Sequence, residues 1–456
     1  MSPPPADNPR EIADAAAALP DEKLAKLVSL LEMGRARPEL DGALALLRPR
    51  LAKLRPPRRL GVRRLLFLPV EDLLEDVARY RRDRGRVSRE ILDPVWELFR
   101  AHADPAVLAR AEAEAAAADP ARADAADRAG APLWAHAAGV LGELAARGGG
   151  ASAHWPRAFA RSEDVRAQLG AVVEALGVAE EIQRLKRLLP GRPVEALSER
   201  DREVLREAIA RVGQASPAGL RPLLLALCAR VRRPGEVLAV LARAGGGGDK
   251  AAYERLSHEI GGAIVERYVE AAAEGGRALA GAPMRDLVGF AERVTEGVSS
   301  VAELMGDALD ARARGRVQGA FQGLRDLLVS GVVDPAEERL VALLDDALGA
   351  GEGGRDGRVA LAEEAAATFR RCLALAPKVG FAREARRRAQ AVVEGVERHA
   401  ERLIRDARSR DARSGRADPA GLELDVVTAL RVVELAAGPD DAESLLARLR
   451  GRFGGF

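Results

Sequence analysis

Phe381–Asp411 reads FAREARRRAQAVVEGVERHAERLIRDARSRD, and this stretch decides the fold class. Ala385, Ala389, Val392, Val396, His399 and Leu403 follow one another in alternating steps of four and three, the spacing of a coiled-coil-like seam. Arg386, Arg387, Arg388, Glu394, Glu397, Arg398, Glu401 and Arg402 fall off it. The pattern predicts one long helix whose seam packs inside its own chain, with His399 as a satisfied core histidine.

Working outward, the same helical grammar recurs. Ser198-Glu199-Arg200-Asp201 places a hydroxyl before the first turn and a carboxylate three residues on, a reciprocal cap. Asn8-Pro9-Arg10-Glu11 and Asp334-Pro335-Ala336-Glu337 put proline at the first helical position, where its missing N–H costs nothing. Asp104-Pro105, Asp119-Pro120, Ser216-Pro217 and Asp418-Pro419 read as further starts. Between them, Val178, Ile182, Leu185 and Leu189 mark one face, as do Val204, Ala208, Ile209 and Val212, and Val317, Ala320, Leu324 and Leu327. Strand signals are poor, because isoleucine and threonine are scarce; only Arg64-Leu65-Leu66-Phe67-Leu68 suggests a short extended stretch. The expected fold is all-α: an irregular multi-helix array or stacked helical bundles, solenoid-like but without a repeat period, and without significant β-sheet.

Apolar residues make up 48% of the chain but aromatics only 3%, and alanine supplies much of the apolar share. Such material suits closely approached, layered helices better than a deep globular centre. Arginine, alanine and glycine dominate while lysine occurs at six positions, a bias expected of a GC-rich bacterial host. The first residues lack a basic region followed by an apolar one, and no run of about 18 apolar residues occurs. A soluble, cytoplasmic protein without a membrane partner is therefore expected. Glycine runs divide the chain into helical segments 1–147, 156–243, 250–348 and 358–456, joined by linkers at 148–155, 244–249 and 349–357.

Charge is unevenly placed. Arg35–Arg89 holds sixteen basic and seven acidic residues, +9, which leaves −7 for the rest of a chain whose total is +2. A polyanion would meet such a block at Arg58, Arg59, Arg63, Arg64, Arg81 and Arg82, because neutralised phosphates release condensed counterions. The opposing expectation is that the acidic remainder of the chain folds against the block. Phe67 and Tyr80 are its only aromatics, a poor platform for stacking bases, and no groove-reading motif runs through it.

Motifs for chemistry are thin. Glu71-Asp72-Leu73-Leu74-Glu75 resembles the DDxxD magnesium motif of helical prenyl-transferring enzymes but departs from it at the first and last positions. The resemblance would imply a second, facing motif, and neither Asp345-Asp346 nor Asp440-Asp441 has an acid at the required spacing. The stretch is expected to be a solvated, salt-bridged helix face. Gly349-Ala350-Gly351-Glu352-Gly353-Gly354 matches GxGxxG but follows a helix instead of a strand, so it reads as linker. His102, His136, His154, His258 and His399 never fall at metal-ligand spacing. Cys228 and Cys372 lie in apolar helical contexts and are expected as buried reduced thiols. Trp96, Trp134 and Trp155 are expected to anchor local helix packing, Trp96 foremost with Leu92 and Phe99.

No catalytic, cofactor or metal site is therefore assigned. The expected function is a non-enzymatic helical scaffold or adaptor whose partner is another protein. A nucleic-acid-associated protein using segment 35–89 is the alternative, and an all-α enzyme with an unrecognised site the second.

Overall fold

The structure is a computed structural model that describes residues 24, 61–75, 86–118, 125–147, 159, 163–189, 193–244, 250–279, 281–306, 309–348, 355–414 and 419–454. In chain order the helices are α1 (Val62–Phe67), α2 (Leu92–His102), α3 (Pro105–Ala117), α4 (Ala125–Ala146), α5 (Glu163–Gly177), α6 (Ala179–Leu188) and α7 (Glu199–Ala215). They continue with α8 (Leu220–Cys228), α9 (Pro234–Ala244), α10 (Lys250–Ala278), α11 (Met284–Met305), α12 (Ala311–Leu328) and α13 (Ala336–Leu348). The last four are α14 (Arg355–Val379), α15 (Ala382–Ser414), α16 (Pro419–Ala436) and α17 (Pro439–Phe453). Among the described residues, extended pairing is limited to two two-residue parallel strands, Leu74–Glu75 with Val87–Ser88, and one bridge between Val194 and Val231. The chain is an all-α array. Residues 64–68, expected as extended, form most of α1 and run into a 3₁₀ turn over Leu68–Leu73.

The chain forms two compact units, residues 1–68 with 99–140 and residues 69–98 with 141–456. These units do not begin or end at the glycine runs. Residues 148–155, 245–249 and 349–354, together with the starts at Asn8-Pro9 and Asp119-Pro120, lie outside the described residues.

In the first unit Trp134, buried to 1% exposure, is the local anchor: its indole Nε1 donates to the Leu65 carbonyl at 2.8 Å. Its ring lies where a side chain at Gly130 would stand, so the sequence leaves that place empty one helical turn earlier. Trp96, which belongs to the second unit, is half-buried, and Trp155 lies outside the described residues. Asp104 caps α3 as its Asp-Pro spacing predicts, its carboxylate accepting from the Ala106 N–H at 2.8 Å. His136 Nε2 accepts from the Asp104 N–H at 3.0 Å.

In the second unit the seam of α15 is buried at Ala385, Val392, Val396 and His399, and Val393, Ala400 and Ile404 widen it into a stripe. That stripe closes on α13, α14, α16 and α17, and the shared core runs from Ala272 to Leu449. The Ser198–Asp201 capping box forms in full. Val178, Ile182, Leu185 and Leu189 are all buried. Asp334 departs from expectation. The chain continues through it in helical conformation after a π turn over Val329–Val333, and its carboxylate meets Arg388 at 2.8 Å instead of capping α13. Gly380 ends α14 with φ +91°, and the N–H of the buried Phe381 reaches back to the Ala376 carbonyl at 2.9 Å, a left-handed stop that L side chains adopt at a cost.

Candidate functional site

Alanine at 342 and glycine at 395 leave room between α13 and α15. The two helices enclose a groove of about 940 Å³ there, floored by Val341, Ala342 and Gly395. Asp334, Glu338, Val341 and Asp345 recur at steps that keep them on one helix face, and Arg398, Arg402 and Arg405 do the same on α15. The α13 wall is therefore acidic, while the α15 wall sets Arg398, Arg402 and Arg405 beside one carboxylate, Glu401, which pairs with Arg405 at 2.6 Å. Three cross-groove pairs fix the walls: Asp334 with Arg388 at 2.8 Å, Glu337 with Arg398 at 2.5 Å, and Asp345 with His399 Nδ1 at 3.0 Å. At Gly395 a Cβ would stand 2.8 Å from the Glu337 Cγ, so a side chain there would displace that glutamate from its place beside Arg398. Glu338 is exposed and has no ion-pair partner among the described residues, while Arg402 is exposed beside the His399 ring. Those two charges are what the groove offers to a visitor.

His399 sits at 2% exposure with its Nε2 buried and without a hydrogen-bond partner. Burial lowers its pKa and outweighs the raising effect of Asp345, with Arg402 adding to the lowering. The neutral ring, donating from Nδ1 to Asp345, fits this geometry, because a proton on Nε2 would find no acceptor.

Of the six arginines singled out as a polyanion surface, two lie among the described residues. Arg63 and Arg64 are exposed on α1; Arg58, Arg59, Arg81 and Arg82 lie outside the described residues. Among the described residues of the block, Arg86 donates to the Ala263 carbonyl at 3.2 Å, and two acids also meet partners from distant sequence. Asp72, with a side chain 1% exposed, pairs with Lys186 and Arg230, each at 3.2 Å, and Arg230 also donates to the Leu189 carbonyl at 3.0 Å. Glu75 pairs with Arg86 at 2.7 Å and Arg267 at 3.7 Å. Burial lowers the Lys186 pKa, against the raising effect of Asp72. The Glu71–Glu75 stretch is therefore no solvated helix face: it is a 3₁₀ turn and a short strand that carry a carboxylate into the interior. The sequence hint was an acid flanked by Leu65–Val70 and Leu73-Leu74, a run too apolar for an exposed face.

Comparison with protein-family models, with curated proteins and with solved structures finds no match to this chain. Among the described residues no cluster of three or more His, Cys, Asp or Glu side chains has the arrangement of a metal site, and no helix is long and apolar enough to cross a membrane. Cys228 and Cys372 are buried free thiols.

Proposed function

We propose that this chain is a non-enzymatic helical scaffold or adaptor that mediates protein–protein interaction in a bacterial cytoplasm, and that the α13/α15 groove receives a helical segment of its partner. The observation that carries the reading is the groove's composition: an acidic wall faces one in which three arginines outnumber a single carboxylate, Glu401, with the small residues Ala342 and Gly395 between them. A helix with basic residues along one edge and acidic residues along the other complements both walls. Reversed orientation would set like charges against each other, so the walls fix polarity as well as partner choice. Ion pairs within the walls hold them in place before a partner arrives, which lowers the ordering cost of binding.

The test compares the intact protein with a Glu338→Arg, Arg402→Glu variant as baits in host extract. Proteins held by the former at low salt, released by added salt and not held by the variant support the reading. Identical captures by both baits, with circular dichroism showing both folded, would remove the groove from consideration. The competing occupant is a DNA or RNA backbone on the 35–89 block, supported by the exposure of Arg63 and Arg64. It requires steeply salt-dependent duplex binding that Arg63→Glu with Arg64→Glu weakens.

A further inference from the structure

A second concavity of about 330 Å³ opens beside α10 and α11, away from the α13/α15 groove. Its lining is mostly apolar, with Pro193, Val231, Ala271 and Val294 among its walls, and the rings of Tyr268 and Phe290. Three arginines complete it, Arg232, Arg267 and Arg293, and no carboxylate lines it. The walls are held from behind. The Val194 N–H donates to the Arg230 carbonyl at 2.7 Å and the Arg232 N–H to the Val194 carbonyl at 2.9 Å, which fixes Pro193 against Val231. Tyr268 of α10 is packed on Gly297 of α11, and Phe290 of α11 on Gly275 of α10.

The three arginines differ in what already engages them. Arg232 is enclosed by Glu195 at 3.1 Å, Glu292 at 3.6 Å and Glu296, so its charge is spent and it serves as wall. Among the described residues Arg267 has one ion-pair partner, Glu75 at 3.7 Å, and its side chain is 45% exposed. Arg293 is exposed and has no ion-pair or hydrogen-bond partner among the described residues. The charges of Arg267 and Arg293 both favour ionisation of the Tyr268 hydroxyl, so both lie close to it, although burial dominates and raises that pKa. One uncommitted guanidinium and one partly committed one thus converge near a phenol at the mouth of an apolar hollow. The volume falls in the range of small-molecule sites, and an apolar lining with a few convergent polar groups is their usual composition.

We propose that this concavity binds a small amphipathic monocarboxylate, its apolar body against Val231, Ala271, Phe290 and Val294 and its carboxylate on Arg293, with Arg267 and Tyr268 beside it. A guanidinium matches a carboxylate through paired N–H donors, and the enclosed apolar surface disfavours a strongly hydrated polyanion. This goes beyond the scaffold reading and does not depend on it, since no residue is shared with the α13/α15 groove.

The experiment uses the full chain and 4-phenylbutyrate as probe, with 4-phenylbutanol, 4-phenylbutylamine and inorganic phosphate as comparisons, followed by titration calorimetry and ligand-observed NMR. Saturable binding of the carboxylate is expected, about ten- to hundredfold tighter than the alcohol. The amine and phosphate should neither bind nor compete. Arg293→Gln should lose about the same factor for the carboxylate while leaving the alcohol unchanged, and Ala271→Leu should block both by filling the hollow. Because Ala271→Leu could perturb packing, Arg293→Gln, a change at an exposed position, is the deciding variant. The proposal fails if the carboxylate and the alcohol bind alike, if Arg293→Gln binds as the parent does, or if no carboxylate binding appears at about 10 mM, weaker than any affinity worth assigning to a site.

Discussion

The Tyr268 ring occupies the space that a side chain at Gly297 would need: a Cβ built there would lie 2.2 Å from the phenol Cζ. The relation is reciprocated a few turns away, where a Cβ at Gly275 would lie 2.2 Å from Phe290 Cζ. Each helix of the α10/α11 pair thus presents an aromatic ring to a glycine of the other. In a chain with 3% aromatics, glycine takes the part that a fitted hollow between larger side chains would play elsewhere. Both rings also form part of the hollow beside them.

Gly297→Ala should therefore cost about 1–3 kcal/mol, because the added methyl must displace a ring that is packed on its other face. Gly262→Ala, on α10 with nothing within 4 Å of its Cβ, should instead stabilise by up to about 1 kcal/mol through helix propensity alone. Urea unfolding of the two variants measures both. A stabilised Gly297→Ala would mean that the Tyr268 ring does not rest on α11.

Helix content and helix faces were legible because period and caps are local properties. Ser198 with Asp201, Asp104 before Pro105, and the α15 seam from Ala385 to His399 all fold as their spacing indicates. What spacing could not carry was the assignment of charges to partners. Asp72 and Arg230 are 158 residues apart, and only the packed array brings them together. The same holds for both concavities, whose walls come from separate helices. Trp134 was legible as an anchor, but its pairing with Gly130, one turn earlier, which makes room for the ring, is one that periodicity weighs no differently from any other. Asp334 looked like a cap in isolation and became an ion-pair partner because Arg388 of α15 lies across from it.

Removing the Asp72 carboxylate leaves two buried cations facing each other. Asp72→Ala should destabilise the protein by about 3–5 kcal/mol, the usual consequence of breaking one side of a buried ionic cluster. Combining Asp72→Leu with Lys186→Met and Arg230→Met should recover most of that loss, since the desolvation of all three charges disappears together. Denaturant midpoints give the comparison. A mild Asp72→Ala would show that solvent reaches the cluster.

Thiol chemistry offers an independent check on the core. Burial pushes the Cys372 pKa up to about 12 and raises that of Cys228 as well, so neither holds appreciable thiolate near neutral pH. A disulfide-exchange reagent should find no reactive thiol in the native protein and two after unfolding. Cys228→Ala and Cys372→Ala should each cost only about 1 kcal/mol. Rapid labelling of either thiol in native buffer would mean that its helix opens locally.

His399 makes stability depend on pH in a direction that can be worked out. Its folded pKa lies below the ordinary histidine value of 6.5, with burial the main cause. Below that value the unfolded chain binds the proton more readily than the folded one, so acid draws the equilibrium towards unfolding. The stability difference is fully present above pH 6.5 and is lost as pH falls through the window between 6.5 and the lower folded value. One group limits this slope to about 1.4 kcal/mol per pH unit. Unfolding curves collected between about pH 7 and 5 should therefore show a fall in stability that His399→Asn removes in that interval. If the variant keeps the same slope, the proton is taken up elsewhere and His399 is not the source of the pH dependence.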